Sequence, residues 1–412
     1  MVAEPSFLPA PTEAARTLSA WLVDQGLQGA SRKELLTGYC ERLVELGLPL
    51  WRLHLTQRAL HPKFGGFGVN WTREGGASQE EYEHRDSPRE AWLRSPFYYY
   101  LANDLDEFRA RLDTGENHDE FPLLGELRER GGTDYFATGL PFERLNEGVA
   151  GPNEAPEGVM VSWTSDRPGG FAEEELQLIR SVMPYLGLAL KSSSNRQMAS
   201  DLLRVYLGRD AGQRVLKGEI QRGSSREIDA VICYFDLKGF TSLAEQIPGP
   251  ALIEMLNDYF AHVVATIQAH GGNILKFMGD GVLSMFDLGS IDMDAAAALN
   301  AASELQQKLK VLNAEREAAG LPTAGFTLAL HAGEILYGNI GAENRLDFTV
   351  IGPTVNLTSR ISGMHRSVGQ SIIVSEHVQR AAHPSPHDLV SLGRYMLRGI
   401  STPIELFTIY QN

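Results

Sequence analysis

Two aspartates stand where carboxylates can do chemistry. Residues 228–241 read IDAVICYFDLKGFT and residues 273–286 read NILKFMGDGVLSMF. Each is an apolar run of β-branched and aromatic residues, the composition of a strand, followed by a carboxylate and a glycine. The first run ends at Phe235 and Asp236. The second passes from Met278 into Gly279, Asp280 and Gly281, hairpin-turn chemistry that sends the chain back along residues 282–286. An aspartate before a glycine also serves as an ordinary turn residue. Here both carboxylates close buried strands, so pairing of those strands would bring Asp236 and Asp280 together. Two carboxylates without an obvious basic partner call for hard divalent cations such as Mg²⁺ or Mn²⁺. Gly239, Phe240 and Thr241 follow at a helix start, and their backbone amides suit phosphate oxygens.

The elements that must hold these residues follow from apolar periodicity. Strand 228–235 is followed by helices at 241–246 and 251–270, a hairpin at 274–286 and a helix at 292–319. A strand at 326–332, a further hairpin or strand at 346–351, a helix at 354–364 and closing strands complete the order. It predicts an α/β sandwich with helices on one face of a mainly antiparallel sheet.

Five separated segments then carry a family resemblance. They are FDLKGFTSLAE (235–245), ILKFMGDGVLSMF (274–286), LALHAGEILYGNIG (328–341), DFTVIGPTVNLTSRI (347–361) and LRGISTPIELF (397–407). Over residues 228–409 the chain resembles the catalytic domain of class III nucleotidyl cyclases, and the resemblance implies their ferredoxin-like fold. It implies that Asp236 and Asp280, with the backbone carbonyl of Leu237, hold two divalent metals. One lowers the pKa of the ribose 3′-hydroxyl and the other binds phosphate and neutralises the departing pyrophosphate. Amides of Gly239, Phe240 and Thr241, with the Thr241 hydroxyl, would cradle the β- and γ-phosphates. Asn356 and Arg360, four apart on one helix face, would orient the ribose and meet charge developing on the α-phosphate. Arg398 stands where the family places a basic residue for the triphosphate.

Base choice rests, by the same resemblance, on Lys276 and Thr349. An ammonium only donates and satisfies adenine N1, while a hydroxyl can accept from the adenine 6-amino group. Guanine would want an acceptor such as Glu where Lys276 stands, so ATP is favoured. The commonest pattern has Asp where this chain has Thr349; the Thr-bearing subgroup includes members responsive to bicarbonate or carbon dioxide. Pro353 is a second departure, at a position where many members carry Asp. The expected activity is conversion of ATP to 3′,5′-cyclic AMP and pyrophosphate. A guanylate cyclase and a silent nucleotide-binding sensor are the alternatives, the second opposed by the presence of Asp236, Asp280, Lys276, Asn356 and Arg360 together. The Gly-Gly-Asp/Glu-Glu-Phe signature of diguanylate cyclases is absent. Family sites form between two catalytic domains, and this chain carries both residue sets, which implies a head-to-tail homodimer with two equivalent sites.

Length and charge set the frame. With 412 residues the chain accommodates two domains. A formal charge of −15 without a long basic cluster speaks against nucleic acid and anionic membranes as partners. Cys40 and Cys233, far apart, suggest neither a disulfide framework nor a zinc site. No run reaches the ~18 apolar residues of a spanning helix and residues 1–18 lack a basic, then apolar leader pattern, so the expectation is a soluble cytoplasmic protein.

Before the catalytic region, residues 1–11 carry three prolines and read as a loose tail. Helices from Thr12 and from Ser31, strands at 50–60 and 66–72 joined through His61-Pro62-Lys63, and strands at 134–142 and 158–164 separated by a loop at 146–158 lead to a helix at 171–191. That layout resembles a GAF-like sensory domain over residues 12–191, implying an unidentified small-molecule or protein regulator. Phe97 to Tyr100 and His54, His61 and His84 read as packing or surface residues rather than a site. Residues 192–227 read as a helical linker, with Met198, Leu202 and Val205 at helical spacing, and a glycine-rich connector to the catalytic domain at 228–412.

Overall fold

A computed structural model describes residues 12–59, 61–84, 89–114, 120–142 and 158–410. The tail at 1–11 and the loop expected at 146–158, save Gly158, lie outside the described residues. The chain forms two compact units, the first ending at Leu202 and the second beginning at Leu203.

In the first unit, α1 (Glu13–Gln28) and α2 (Arg32–Glu45) precede β1 (Leu50–Arg58), β2 (Phe64–Thr72) and β3 (Gly76–Glu83). Short helices α3 (Glu90–Leu93) and α4 (Pro96–Ala102), then β4 (Glu107–Arg111), α5 (Pro122–Glu129), β5 (Asp134–Pro141), β6 (Gly158–Ser165) and α6 (Glu173–Leu207) follow. The six strands form one antiparallel sheet in the order β3-β2-β1-β6-β5-β4. Ser31 opens α2 with a reciprocal capping box to Glu34, the arrangement that satisfies two orphan amides at once. One sheet face, with Leu53, Val69 and Trp163, packs on Leu22, Leu35 and Leu186 of the helices. The other, with Tyr135 and Ala137, is covered by Phe97, Phe121 and Leu124.

Sequence reasoning misses β3 and β4, whose residues are mostly polar or exposed. Helix α6 runs for 35 residues, straight through Pro184 and past the expected end at 191. Leu176, Ile179, Met183, Leu186 and Leu190 are all buried along one stripe, and that burial outweighs the one backbone bond that proline removes. The stretch read as linker and connector, 192–227, divides between the units. Ser192 Oγ donates to the Gly26 carbonyl at 3.2 Å and Ser194 Oγ to Gln57 at 2.9 Å in the first. In the second, Ala211 is buried with Ile232, Leu275 and Leu283.

The second unit opens with α7 (Arg209–Leu216), β7 (Ser225–Lys238), α8 (Phe240–Gln246), α9 (Gly249–Ala269), β8 (Asn273–Met278) and β9 (Gly281–Phe286). Then come α10 (Ile291–Ala318), β10 (Gly325–Ala342), β11 (Arg345–Ile351), α11 (Pro353–Ser362), α12 (His365–Val368), β12 (Ile372–Ser375), α13 (Glu376–Ala381), β13 (Leu389–Tyr395) and β14 (Ile404–Ile409). The sheet order is β13-β14-β12-β10-β7-β9-β8, with β11 paired to β10; β10 with β12 is its parallel pair.

The observed architecture is mixed α/β, with two differences from expectation. Strand β10 runs 18 residues rather than seven. Gly333 and Gly338 look like strand ends in sequence but lie inside it, where other backbone comes close. A Cβ at Gly338 would fall 2.1 Å from the Ser224 carbonyl oxygen, and one at Gly333 2.7 Å from Thr354 Oγ1. Helices also lie on both faces. On one, Val231, Cys233 and Phe235 of β7 pack with α9 and α10; the opposite face takes Ala211 of α7 beside Ile232, and Leu357 and Ile361 of α11 beside Ala329. The apolar stripe of α11 requires a second contact surface of its own.

Candidate active site

Strands β7 and β9 are neighbours, and their register sets Asp236 opposite Gly281. Asp280 sits in the two-residue turn Gly279-Asp280 between β8 and β9, with Gly279 at φ 66°. That left-handed backbone suits glycine and turns the chain tightly enough to set Asp280 beside Asp236. Burial first, then the hydrogen bond and the charge of Asp280, push the Asp236 carboxyl up to about 6, while the Leu237 amide pulls the other way. Among the described residues neither aspartate has an ion-pair partner.

Tyr234, two residues before Asp236 and on the same face, is a neighbour that sequence reasoning misses. Its phenol is raised by burial and then by the charges of Asp236 and Asp280. A Cβ on Gly281 would lie 3.5 Å from its hydroxyl. The donors gathered here are all oxygen, and two like charges face each other with no basic side chain paired to either among the described residues. That set fits a hard divalent ion, with remaining positions left to water and substrate phosphates. Among the described residues no third His, Cys, Asp or Glu completes a closed metal cluster.

Gly239, at φ 73° and ψ 16°, caps α8, so Phe240 and Thr241 form its first turn. Nothing lies within 4 Å of where a Gly239 Cβ would be, leaving those amides open to approach. Phe240 leans on the core and Thr241 is exposed.

Lys276, on β8, is not free. Its ammonium donates to Asp347 Oδ2 of β11 at 2.7 Å. Thr349, two residues further along β11 and buried, lies opposite Gly338 of β10. Asn356 and Arg360 are exposed on α11. The Arg360 guanidinium rests against the turn after Arg398: a Cβ at Gly399, whose φ is 71°, would lie 3.5 Å from both terminal nitrogens. Among the described residues Arg360 and Arg398 make no ion pair, as anion-binding groups awaiting an anion would.

The structure thus gathers three sets: Asp236, Asp280 and the 239–241 amides; Lys276, Asp347 and Thr349; and Asn356, Arg360 and Arg398. Among the described residues no hydrogen bond or ion pair joins the first set to Asn356 or Arg360. Asp347 had a readable signal, since in an alternating strand a residue two before Thr349 shares its face.

Residues 224–411 match the family model described as the adenylate and guanylate cyclase catalytic domain. An adenylate cyclase of Anabaena cylindrica is 35% identical over 174 residues, 41% of this chain and 34% of that protein. Adenylate cyclase 1 of Rhizobium meliloti (strain 1021) is 30% identical over 180 residues, 43% of this chain and 26% of that protein. The chain therefore spans about a third or less of the length of these relatives. Among solved structures, the adenylyl cyclase CyaB from P. aeruginosa matches with 26% identity over 46% of this chain and 97% of its own, at a TM-score of 0.43. The guanylyl cyclase Cya2 matches with 30% identity over 46% of this chain and 94% of its own, at 0.41.

Proposed function

From a carboxy-terminal unit whose residues 224–411 match the adenylate and guanylate cyclase catalytic domain, we propose that the protein is an adenylate cyclase regulated through its amino-terminal unit. The observation that carries the reading is the facing pair Asp236 and Asp280, half-buried, mutually repelling and without a cationic partner among the described residues. In the reaction the ribose 3′-oxygen forms a bond to the α-phosphorus, the bond from that phosphorus to the bridging oxygen of pyrophosphate breaks, and the 3′-hydroxyl proton is released. Mg²⁺ or Mn²⁺, two per site on Asp236, Asp280 and the Leu237 carbonyl, would supply the charge that acidifies the hydroxyl and neutralises the leaving group.

The chain's own residues do the rest. Amides of Gly239, Phe240 and Thr241 bind the β- and γ-phosphates, with Arg398 beside them. Asn356 holds the ribose, and Arg360 donates to the α-phosphate oxygens as their charge grows. Lys276 donates to adenine N1 and Thr349 accepts from the 6-amino group. The carboxylate set of one chain works with the base and arginine sets of another in a head-to-tail homodimer. The six-stranded order of the first unit, helix-covered on both faces, supports a GAF-like layout that receives a small-molecule or protein regulator.

The test is to incubate the purified protein with ATP and either metal and to measure 3′,5′-cyclic AMP and pyrophosphate, with GTP alongside. Cyclic AMP from ATP, absent in Asp236→Ala, is the expected result; undiminished turnover in that variant would remove the metal assignment. Cyclic GMP as the main product would favour the guanylate alternative.

A further inference from the structure

The sheet of the first unit carries a positive charge that no carboxylate among the described residues touches. Cross-strand register sets Arg52 opposite Thr164, His54 opposite Asn70 and Ser162, and Thr164 opposite Tyr135. Directly opposed residues share a sheet face. This face is covered by Phe97 of α4, whose ring stacks on His54 with centroids 5.9 Å apart. The Arg52 guanidinium is largely buried there. Its Nη2 donates to Asn70 Oδ1 at 2.8 Å, while its Nη1 is buried without a partner, as is Thr164 Oγ1. Glu80, whose charge reaches Arg52, is bonded instead to Asn70, which donates to it from Nδ2 at 3.4 Å. Taking a cation out of water is unfavourable unless an opposite charge meets it. An ordered water would satisfy Nη1 without supplying that charge.

The same contacts fix what else a ligand must carry. Arg52 only donates, so Asn70 turns its oxygen toward it. His54 Nδ1, 2.9 Å from that oxygen, then carries the ring proton. Burial, followed by the Arg52 charge, lowers the His54 pKa to about 4 and keeps the ring neutral. Nε2 is left with a lone pair, and among the described residues nothing donates to it.

We propose that the first unit has a binding site for a small carboxylate bearing a hydroxyl or amino group: Arg52 and Thr164 donate to the carboxylate, and His54 Nε2 accepts from the neighbouring group. A carboxylate suits the site better than a phosphate, because the guanidinium fork matches two oxygens in one plane and one buried cation neutralises one charge. Arg130, the other cation that acts on Arg52, is exposed. Arg52 and His54 are two residues apart on β1, about 7 Å, a span that a carboxylate and a donor on the adjacent carbon bridge. The site deepens the reading of the amino-terminal unit as the receiver of a small-molecule regulator. It rests on that reading for regulation only, and for binding it stands by itself.

The experiment titrates the full chain by calorimetry with four probes: lactate, lactamide without its charge, propionate without its hydroxyl, and inorganic phosphate. The wild type is compared with Arg52→Gln, Arg52→Lys and His54→Phe. Lactate is expected to saturate with a millimolar or lower dissociation constant, and lactamide to bind about tenfold or more weaker. Both Arg52 variants are expected to lose about tenfold or more for lactate, since an ammonium does not reproduce the fork. His54→Phe should erase the preference for lactate over propionate. Arg52→Lys, which keeps the charge and the stem, carries the test should Arg52→Gln fail to fold. No saturable lactate binding to the wild type, or equal binding by the folded Arg52 variants, overturns the proposal; tighter binding of phosphate than of lactate overturns the ligand class. Cyclic AMP formation with and without lactate is read separately, and saturable binding with unchanged turnover upholds the site while removing the regulatory reading.

Discussion

At Asp236 a carboxylate is held where folding would prefer it uncharged. Burial and Asp280 together raise its pKa to about 6, so above that value the ionised group costs stability that an unfolded chain does not pay. Asp236→Asn is therefore expected to abolish turnover and yet stabilise the metal-free protein, by roughly 1 kcal/mol once partial solvation is discounted. Thermal melts in chelator beside cyclic AMP assays check both halves; a destabilised Asn variant would mean the repulsion is absent. Arg360→Ala is expected to cost ~100- to 1,000-fold in kcat with little change in melting temperature, because its guanidinium has no ion pair among the described residues to lose. Arg360→Lys should recover only a small part, since a point charge does not reproduce the planar fork. Both residues were legible in the sequence by motif. That Lys276 meets Asp347 was not, because contacts between strands are set by register, whereas Tyr234 beside Asp236 follows from alternation along one strand and was open to reading.

Among the elements, β10 ties the second unit together. It pairs with β7 from Gly325 opposite Lys238 to Gly338 opposite Ser225, and then continues into the β11 hairpin. Beside it, Asn339 Nδ2 donates to the Glu219 carbonyl at 2.7 Å and to Ser224 Oγ at 3.2 Å, tying the residues ahead of β7 to this strand. The approach needs a residue without a side chain at 338. Gly338→Ala is expected to destabilise by ~1–3 kcal/mol. Gly249→Ala, at the start of α9 with nothing within 4 Å, should be neutral or stabilising by up to ~1 kcal/mol. Urea titrations of the two variants decide it, and equal midpoints would refute the close packing. The strands and longer helices from β7 onward were readable from period and turn chemistry, whereas α7, read as part of the connector, and the short α12 and α13 were not. The length of β10 was not, because Gly333 and Gly338 signal a strand end until the backbone that crowds them is in place.

On the scale of the whole molecule, burial sets the acid sensitivity. His331 is held down at about 3 by burial and then by His377, and His54 at about 4 by burial and then by Arg52, with the Asn70 hydrogen bond opposing. Between these values and ~6.5 the unfolded chain binds protons that the native one refuses, so stability falls as pH falls, by up to about 1.4 kcal/mol per unit for each histidine. Melting temperatures from pH 7 down to 4 should drop in the first unit; in the second, Asp236 and Asp294, both pushed up to about 6, relieve a cost as they protonate and oppose His331, so the drop there is smaller. His54→Gln should flatten the first transition and His331→Gln the second; slopes unchanged by these substitutions would exclude the histidines as the cause. For assembly, an equal mixture of Asp280→Ala and Arg360→Ala chains that exchange freely should regain about a quarter of wild-type activity, because half the dimers are mixed and each has one intact site. No recovery after verified exchange would count against shared sites. The sequence by itself determined the carboxylate pair, the order of strands and helices around it and the division into two units, since these depend on local period and on residues adjacent in the chain. Only tertiary structure decided that Lys276 meets Asp347, that α6 passes through Pro184 and that residues 203–227 join the second unit. Those outcomes depend on which distant surfaces exclude water together, and no short window of sequence records that.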